Sequence, residues 1–380
     1  MSTDPAFAAP LLPTSPPDDR LTHDPDGPVL LVGGYGTVGT ELAGLAAPAF
    51  PLLLAGRSEQ RGAALAARLD GATARRWDLA DPAPFSAAVR AVVGVVNDPD
   101  DRVLRAAVLA GVPYVDVTRW TARLQRAATL TALLRPTAPV LHSSAWMGGV
   151  TPLVAAALAD RLGGAERIET AIRWDLADRA GADSVEFMDR LGLDYEVIRD
   201  GRRRPVAPLG RPGTVRIGDA PTLVAGIDTP EQFTLPLTLG VGTAATRIGF
   251  SSRSSTTALL AARRAGFFRW ARGDRWEPAR RALLYSPGEG GTARLRTDVG
   301  FAGRTLTATV EDPAGQAHLT AVGALLGLRR VLGADGAPPP SAGVVFPEQT
   351  PRPGRVTADL AALGVTVAVA EGQRGAEAAA

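Results

Sequence analysis

PVLLVGGYGTVGTELAGLAAPAF, residues Pro28 to Phe50, is apolar from end to end, carries one charge at Glu41 and places Gly33, Gly34, Gly36 and Gly39 close together. A membrane segment, a tight turn and a phosphate cradle between strand and helix all share that description. The flanking sequence separates them. Short apolar runs recur at 29–33, 51–56, 72–79, 92–97, 113–118 and 138–144. Between them lie helix-compatible stretches such as SEQRGAALAARL after Gly56 and DPAPFSAAVRA after Ala80. In the second of these, Asp81 before Pro82 reads as a helix start. Apolar strands joined by helices bury both faces of a parallel sheet, so residues 28–148 predict an α/β domain, doubly wound, of Rossmann type. Glu41, the clustered glycines and the PAF break argue against a membrane span.

In that frame Gly34-Tyr35-Gly36-Thr37-Val38-Gly39 fits G-x-G-x-x-G after a strand and at the opening of a helix, the context that makes the pattern a dinucleotide loop. Gly34 is expected to take the tight turn, Gly36 to admit a pyrophosphate, and Gly39 to let helix and strand pack closely, with the helix N-terminus facing the phosphates. The second strand ends in Ala55-Gly56-Arg57-Ser58, with Arg61 a helical turn later and no acid for the ribose hydroxyls. A guanidinium there suits a 2′-phosphate, which favours NADP(H) over NAD(H). Ser58 also reads as a helix N-cap. Asp78 and Leu79 end the third strand where adenine would lie, although Asp78 also reads as a cap, and Asn97 ends the fourth near the nicotinamide path.

Composition bounds the chemistry. The 380 residues, 46% hydrophobic and 21% charged, suffice for two domains and a sizeable core. All positive charge is arginine, and 41 Arg against 39 acids leave a net charge of +2, so the chain as a whole gives little pull toward nucleic acid. The absence of cysteine excludes disulfides, thiolate nucleophiles and Cys-ligated zinc; the absence of lysine excludes a Schiff base. His23, His142 and His318 are scattered, so no metal site is expected. Residues 1–27, rich in Pro and Asp without an apolar h-region, read as an irregular tail of a cytoplasmic protein. The last ten, EGQRGAEAAA, read as a fraying terminus.

Residues 149–335 read as a second, α+β domain with a mostly antiparallel sheet. Ile168, Ile172, Trp174 and Leu176 alternate with polar neighbours, and hairpins are expected at Asp200-Gly201 and around Gly303. A helix follows from near Gln316 to about Leu332. After the Ala337–Pro340 linker, residues 336–380 form a C-terminal segment expected to pack back on the first domain. Ala261–Arg281 interleaves seven arginines with Phe267, Phe268, Trp270 and Trp276. An amphipathic helix pair at a domain or dimer interface accounts for it better than a nucleic acid or membrane surface, and a carboxylate clamp is a third reading.

GGYGTVG, LLLAGRSEQRGAALAARL, RRWDLADPAPFSAAV, VVNDPDD and AAVLAGVPYVDVT together resemble the NADP-binding domain of the saccharopine dehydrogenase-like oxidoreductases. SSAWMGGVTPLVAAALADRL, DTPEQFTLP and GVVFPEQTPRPGRVTADLAALGV extend the likeness more loosely over most of residues 28–370. The resemblance implies a nicotinamide cofactor in the first domain, a substrate-binding and dimer-forming second domain, a homodimer, and reduction of a C=N or C=O bond in a small metabolite. Thr118-Arg119-Trp120 and the loop Ser143–Gly149 depart from the family pattern where substrate meets nicotinamide, which points away from saccharopine and from amino acids generally. Two alternatives are a trans-acting enoyl or keto reductase on a carrier-bound intermediate and a non-catalytic NADP-binding scaffold or sensor.

Hydride chemistry belongs to such a cofactor; the protein positions the acceptor and controls a proton. Asp98, Tyr114, Asp116, His142 and Trp146 stand at or just beyond the carboxyl ends of strands, where open α/β sheets bind ligands, and are the candidate catalytic residues. Asp98 could hold an amine, Tyr114 or His142 relay a proton, and Trp146 wall the pocket. Each also has a structural reading: Asp98 as a helix cap, Asp116 as a strand residue, His142 as a satisfied core histidine.

Overall fold

The computed structural model describes residues 18–178, 190–271, 276, 288 and 290–371. Its first half runs β1 (Arg20–His23), β2 (Val29–Val32), α1 (Thr37–Ala46), β3 (Leu52–Gly56), α2 (Glu59–Ala66), β4 (Ala72–Arg76), β5 (Ser86–Val89), β6 (Ala91–Gly94), α3 (Arg102–Leu109), β7 (Tyr114–Asp116), α4 (Thr121–Leu134) and β8 (Pro139–His142). The second half runs α5 (Val150–Leu162), β9 (Arg167–Trp174), β10 (Tyr195–Arg199), β11 (Arg202–Val206), β12 (Gly213–Ile217), β13 (Ala220–Ile227), α6 (Glu231–Leu239), β14 (Thr243–Phe250), α7 (Arg253–Arg264), α8 (Phe267–Trp270), β15 (Ala293–Phe301), β16 (Arg304–Asp312), α9 (Gly315–Val331), β17 (Gly343–Val345), α10 (Val356–Ala361) and β18 (Thr366–Glu371).

Seven strands pair in parallel in the order β17-β8-β7-β6-β2-β3-β4, the doubly wound arrangement, with its switch point between β2 and β6. Alternate side chains of β2 explain its continuous apolarity. Val29 and Leu31 pack toward Leu42 of α1 and Leu325 and Leu328 of α9, while Leu30 and Val32 pack toward Val103 and Leu104 of α3. Burial of each such Leu or Val side chain is worth about 1.5–3 kcal/mol relative to exposure. The second sheet, β12-β13-β14-β9-β15-β16-β18, is antiparallel except for β14 against β9, and apolar α5 covers it over Ile168, Leu295, Val299 and Val310. Both expected hairpins form, Arg199 pairing with Arg202 and Phe301 with Arg304.

Three expectations need correction. Residues 86–89 form strand β5, not a helix, and pair in parallel with β1, which lies inside the stretch read as irregular tail. Pro84 disfavours helical backbone at Ala83. Phe85 stacks on Trp77 at 4.3 Å, and buried Val89 joins the same core, contacts that outweigh the alanine propensity of SAAV. Third, the left-handed residue of the tight turn is Gly33, at φ +87°, with Gly34 beside it at the first central position of the turn closed by Gly36 N on the Gly33 carbonyl.

Helix α9, although inside the span read as the second domain, covers one face of the first sheet. The C-terminal segment serves both sheets, β17 pairing with β8 and β18 with β16. Of the Arg- and aromatic-rich segment, the described part is the helix pair α7–α8, with Leu259 and Phe268 buried in the second core; residues 272–275 and 277–281 lie outside the described residues, as do 1–17 and 372–380. No helix among the described residues is long and apolar enough to cross a membrane.

Candidate functional site

The glycine turn is built by close approach. A Cβ on Gly39 would sit 2.1 Å from the Gly33 carbonyl oxygen, so only glycine lets α1 start this near β2. Gly36 is the N-cap and contributes no side-chain bond, which leaves the first-turn N–H groups of α1 without a capping side chain. Thr37 and Val38 form that turn. The glycines and the helix terminus fit a pyrophosphate.

Tyr35 leaves the turn toward the end of β3. Its Oη accepts a hydrogen bond from Ser58 N at 2.5 Å, and its ring lies so close to Gly56 that a Cβ there would meet the phenol oxygen at 2.5 Å. Arg61 lies over the ring at 5.5 Å, Ser58 caps α2 by accepting from Arg61 N, and Arg57 is exposed beside them. Asp78 accepts from Ala80 N in a turn that opens no helix and pairs with Arg76, so it is not the cap that the sequence offered; Leu79 packs on the first domain's core. Asn97 accepts from Arg123.

Four candidates gather around Arg119, a residue sequence reasoning noted only as a departure. Its guanidinium donates to Asp116 at 2.6 Å and to Asp101, and lies 3.9 Å from Asp98. Asp116 also accepts from Ser144, and its Oδ2 stands 3.2 Å from His142 Nδ1, while Asp98 accepts from the N–H groups of Arg102 and Val103 as a cap of α3. Burial by itself would raise the Asp116 carboxyl, but Arg119, His142 and Ser144 hold it well below the usual carboxylate range. Burial pushes Tyr114 well above the ordinary phenol value, with Asp116 adding to the effect, and burial raises Asp98 against the pull of Arg119.

Beside this cluster opens a cleft of about 170 Å³ at the carboxyl ends of the parallel strands. Val38, Val95 and Val117 line it, as do Trp146 from the loop after β8, Trp174 from the end of β9 and Pro230. Of the candidate catalytic residues, Trp146 lines it; Asp98, Tyr114, Asp116 and His142 are not among its lining residues. Ser144 lines it and donates to Asp116, linking the cleft to the buried cluster. The Trp146 loop is held from behind by Glu231, which accepts from Trp146 N at 3.2 Å and Thr151 Oγ1 at 3.1 Å. Burial raises the Glu231 carboxyl to about 7 in spite of these bonds. Sequence reasoning missed Glu231, Trp174, Gln316 and Thr320; for Glu231 the one signal was the helix start after Pro230 in DTPEQF.

No protein-family model matches the chain, and no curated protein matches it in sequence. Among solved structures, apo histidine-tagged saccharopine dehydrogenase (L-Glu forming) from Saccharomyces cerevisiae is similar, with a TM-score of 0.61 at 13% identity over 91% of this chain and 100% of that one. A putative myo-inositol dehydrogenase from Sinorhizobium meliloti 1021 gives 0.43 at 14% identity, over 90% and 94%. The chain therefore has a saccharopine dehydrogenase-like fold.

Proposed function

We propose that this protein is an NADPH-dependent oxidoreductase that reduces a C=N or C=O bond of a small metabolite. The observation that carries the reading is the continuity of the glycine turn with the cleft: Val38, in the first turn of α1, belongs to both. The fingerprint glycines and the α1 N-terminus would hold the pyrophosphate, and exposed Arg57 with Arg61 the 2′-phosphate. Bound there, reduced nicotinamide supplies a hydride. Val95 and Val117 would pack against its ring, while Trp146 and Trp174 keep water from the acceptor. Where the acceptor is a carbonyl, Thr118, Ser144 and Thr320 are the hydroxyls that line the cleft; Ser144 gives its hydrogen to Asp116 and would have to turn from it to donate to the substrate oxygen. A homodimer in the cytoplasm is part of the same reading, checked by sedimentation. The central experiment is a fluorescence titration of the purified protein with NADPH and NADH. Saturable binding with NADPH the tighter ligand is expected; no saturable response to either overturns the reading.

A further inference from the structure

Three of the chain's six tryptophans, Trp120, Trp146 and Trp174, line the cleft. The rings of Trp146 and Trp174 meet edge to face, 6.2 Å apart at 66°, and Phe250 backs Trp174 at 6.4 Å and 64°. Two indoles are thereby fixed as a corner of a cleft that Val38, Val95 and Val117 also line.

Among the described residues that line the cleft, Arg119 is the one charged side chain. It is also spoken for. Only 1% of the side chain is exposed, Asp116 and Asp101 accept from it, Asp98 stands 3.9 Å away, and Arg126 shares Asp101. Three acids thus face two guanidinium groups. A substrate carboxylate could reach Arg119 only by displacing one of these partners and leaving a buried carboxylate unpaired. A cation requires no such displacement: an indole face attracts it through its quadrupole, and the charge of Arg119 is offset by the three acids around it.

We propose that the substrate is an apolar imine without a carboxylate, bound as its iminium cation against the corner formed by Trp146 and Trp174; this rests on the oxidoreductase reading above. The reaction balances without an acid from the protein. A hydride from the reduced nicotinamide forms the new C–H bond at the iminium carbon. The C=N π pair becomes the lone pair of the amine nitrogen, and the cofactor leaves oxidised. Asp116, held ionised, has no proton to give, and the iminium requires none.

Three ligands built on a five-membered ring test this by quenching of tryptophan fluorescence: 2-phenylpyrrolidine, which is protonated at neutral pH, uncharged phenylcyclopentane, and proline, which keeps the charged ring and carries a carboxylate in place of the phenyl group. The amine is expected to bind at least about tenfold more tightly than either of the others, the scale of a partly desolvated cation–π contact. Trp146→Leu should bring the amine to within about twofold of the hydrocarbon, whatever the change in hydrocarbon binding itself. With NADPH, 2-phenyl-1-pyrroline should show a kcat/KM at least about a hundredfold above that of 1-pyrroline-2-carboxylate. Equal binding, a preference for proline, binding of none, or an unchanged ratio in W146L overturns the proposal. The ranking is measured on the protein alone as well as with NADP⁺, so a failure of nicotinamide binding would sink the oxidoreductase reading separately.

Discussion

Arg119 Nε donates to Asp116 Oδ2 at 2.6 Å, and each side chain is only 1% exposed. The pair is the centre of a buried cluster beside the cleft, and its strength is electrostatic. Removing one partner strands the other. Arg119→Ala is therefore expected to destabilise the fold by about 3–5 kcal/mol, read by chemical denaturation. A loss under about 1 kcal/mol would show that water replaces the guanidinium.

The same pair sets a pH dependence. Asp116 titrates lower when folded than when unfolded, so its contribution is fully present above the unfolded value of about 4 and is lost as pH falls through the depressed folded one. Asp116→Asn should flatten the acid limb of the stability curve below about pH 4, alongside a loss at neutral pH. An acid limb unchanged in slope would assign it to other carboxylates.

Glu231 runs the other way. Its folded value, raised to about 7 from 4.5 by burial, means that the native state holds the proton more tightly than the unfolded chain. Stability is then highest below the unfolded value and declines as pH rises from about 4.5 through about 7, by on the order of 3 kcal/mol. Glu231→Gln, whose amide oxygen can still accept from Trp146 N while its NH2 donates to Thr151 Oγ1, should remove that decline. Denaturant midpoints at pH 5 and pH 8 measure it, and an equal decline in the variant would exclude Glu231 as its source.

Arg57 bears on the cofactor. If its guanidinium meets a 2′-phosphate, Arg57→Ala loses a charge-assisted bond and weakens NADPH about tenfold or more while NADH stays within about twofold. Calorimetric titration with both nucleotides decides. Equal weakening of both would place Arg57 on a group they share, and no change would leave it a solvated surface residue.

The parallel strands were legible because strands buried on both faces are apolar throughout, as VLLV is, and the glycine turn because close approach admits no other residue at Gly39. Strand β5 was not, since Asp81-Pro82 followed by SAAV carries a helix signature, and only β1, dozens of residues away, makes it a strand. The cleft was legible on one side. Val38 and Trp146 stand next to recognisable turns, whereas Trp174, Pro230 and Thr320 arrive from separate elements, and periodicity says which face is buried but not what it meets. Asp116 and His142 were read correctly as strand-end residues; that Arg119 draws them into one cluster is a matter of side-chain direction alone.

The terminal staple makes a last, separate claim. Arg102 forms a bidentate pair with Asp19, Nε to Oδ2 at 2.7 Å and Nη2 to Oδ1 at 2.9 Å, with both side chains nearly sealed from solvent. The same guanidinium donates to the carbonyls of Asp78, Leu79, Asp81 and Ala83, and Asp19 accepts from Phe85 N. One side chain therefore binds β1, the loop 78–83 and the approach to β5. Arg102→Ala should cost about 3–5 kcal/mol, and Arg102→Lys should recover little of it, because an ammonium cannot reproduce the planar fork. Hydrogen exchange would show lost protection at residues 20–23 and 86–89, with the seven-stranded sheet still protected. Full protection in R102A would mean that the β1–β5 ladder and the Trp77–Phe85 stack hold this edge without the arginine.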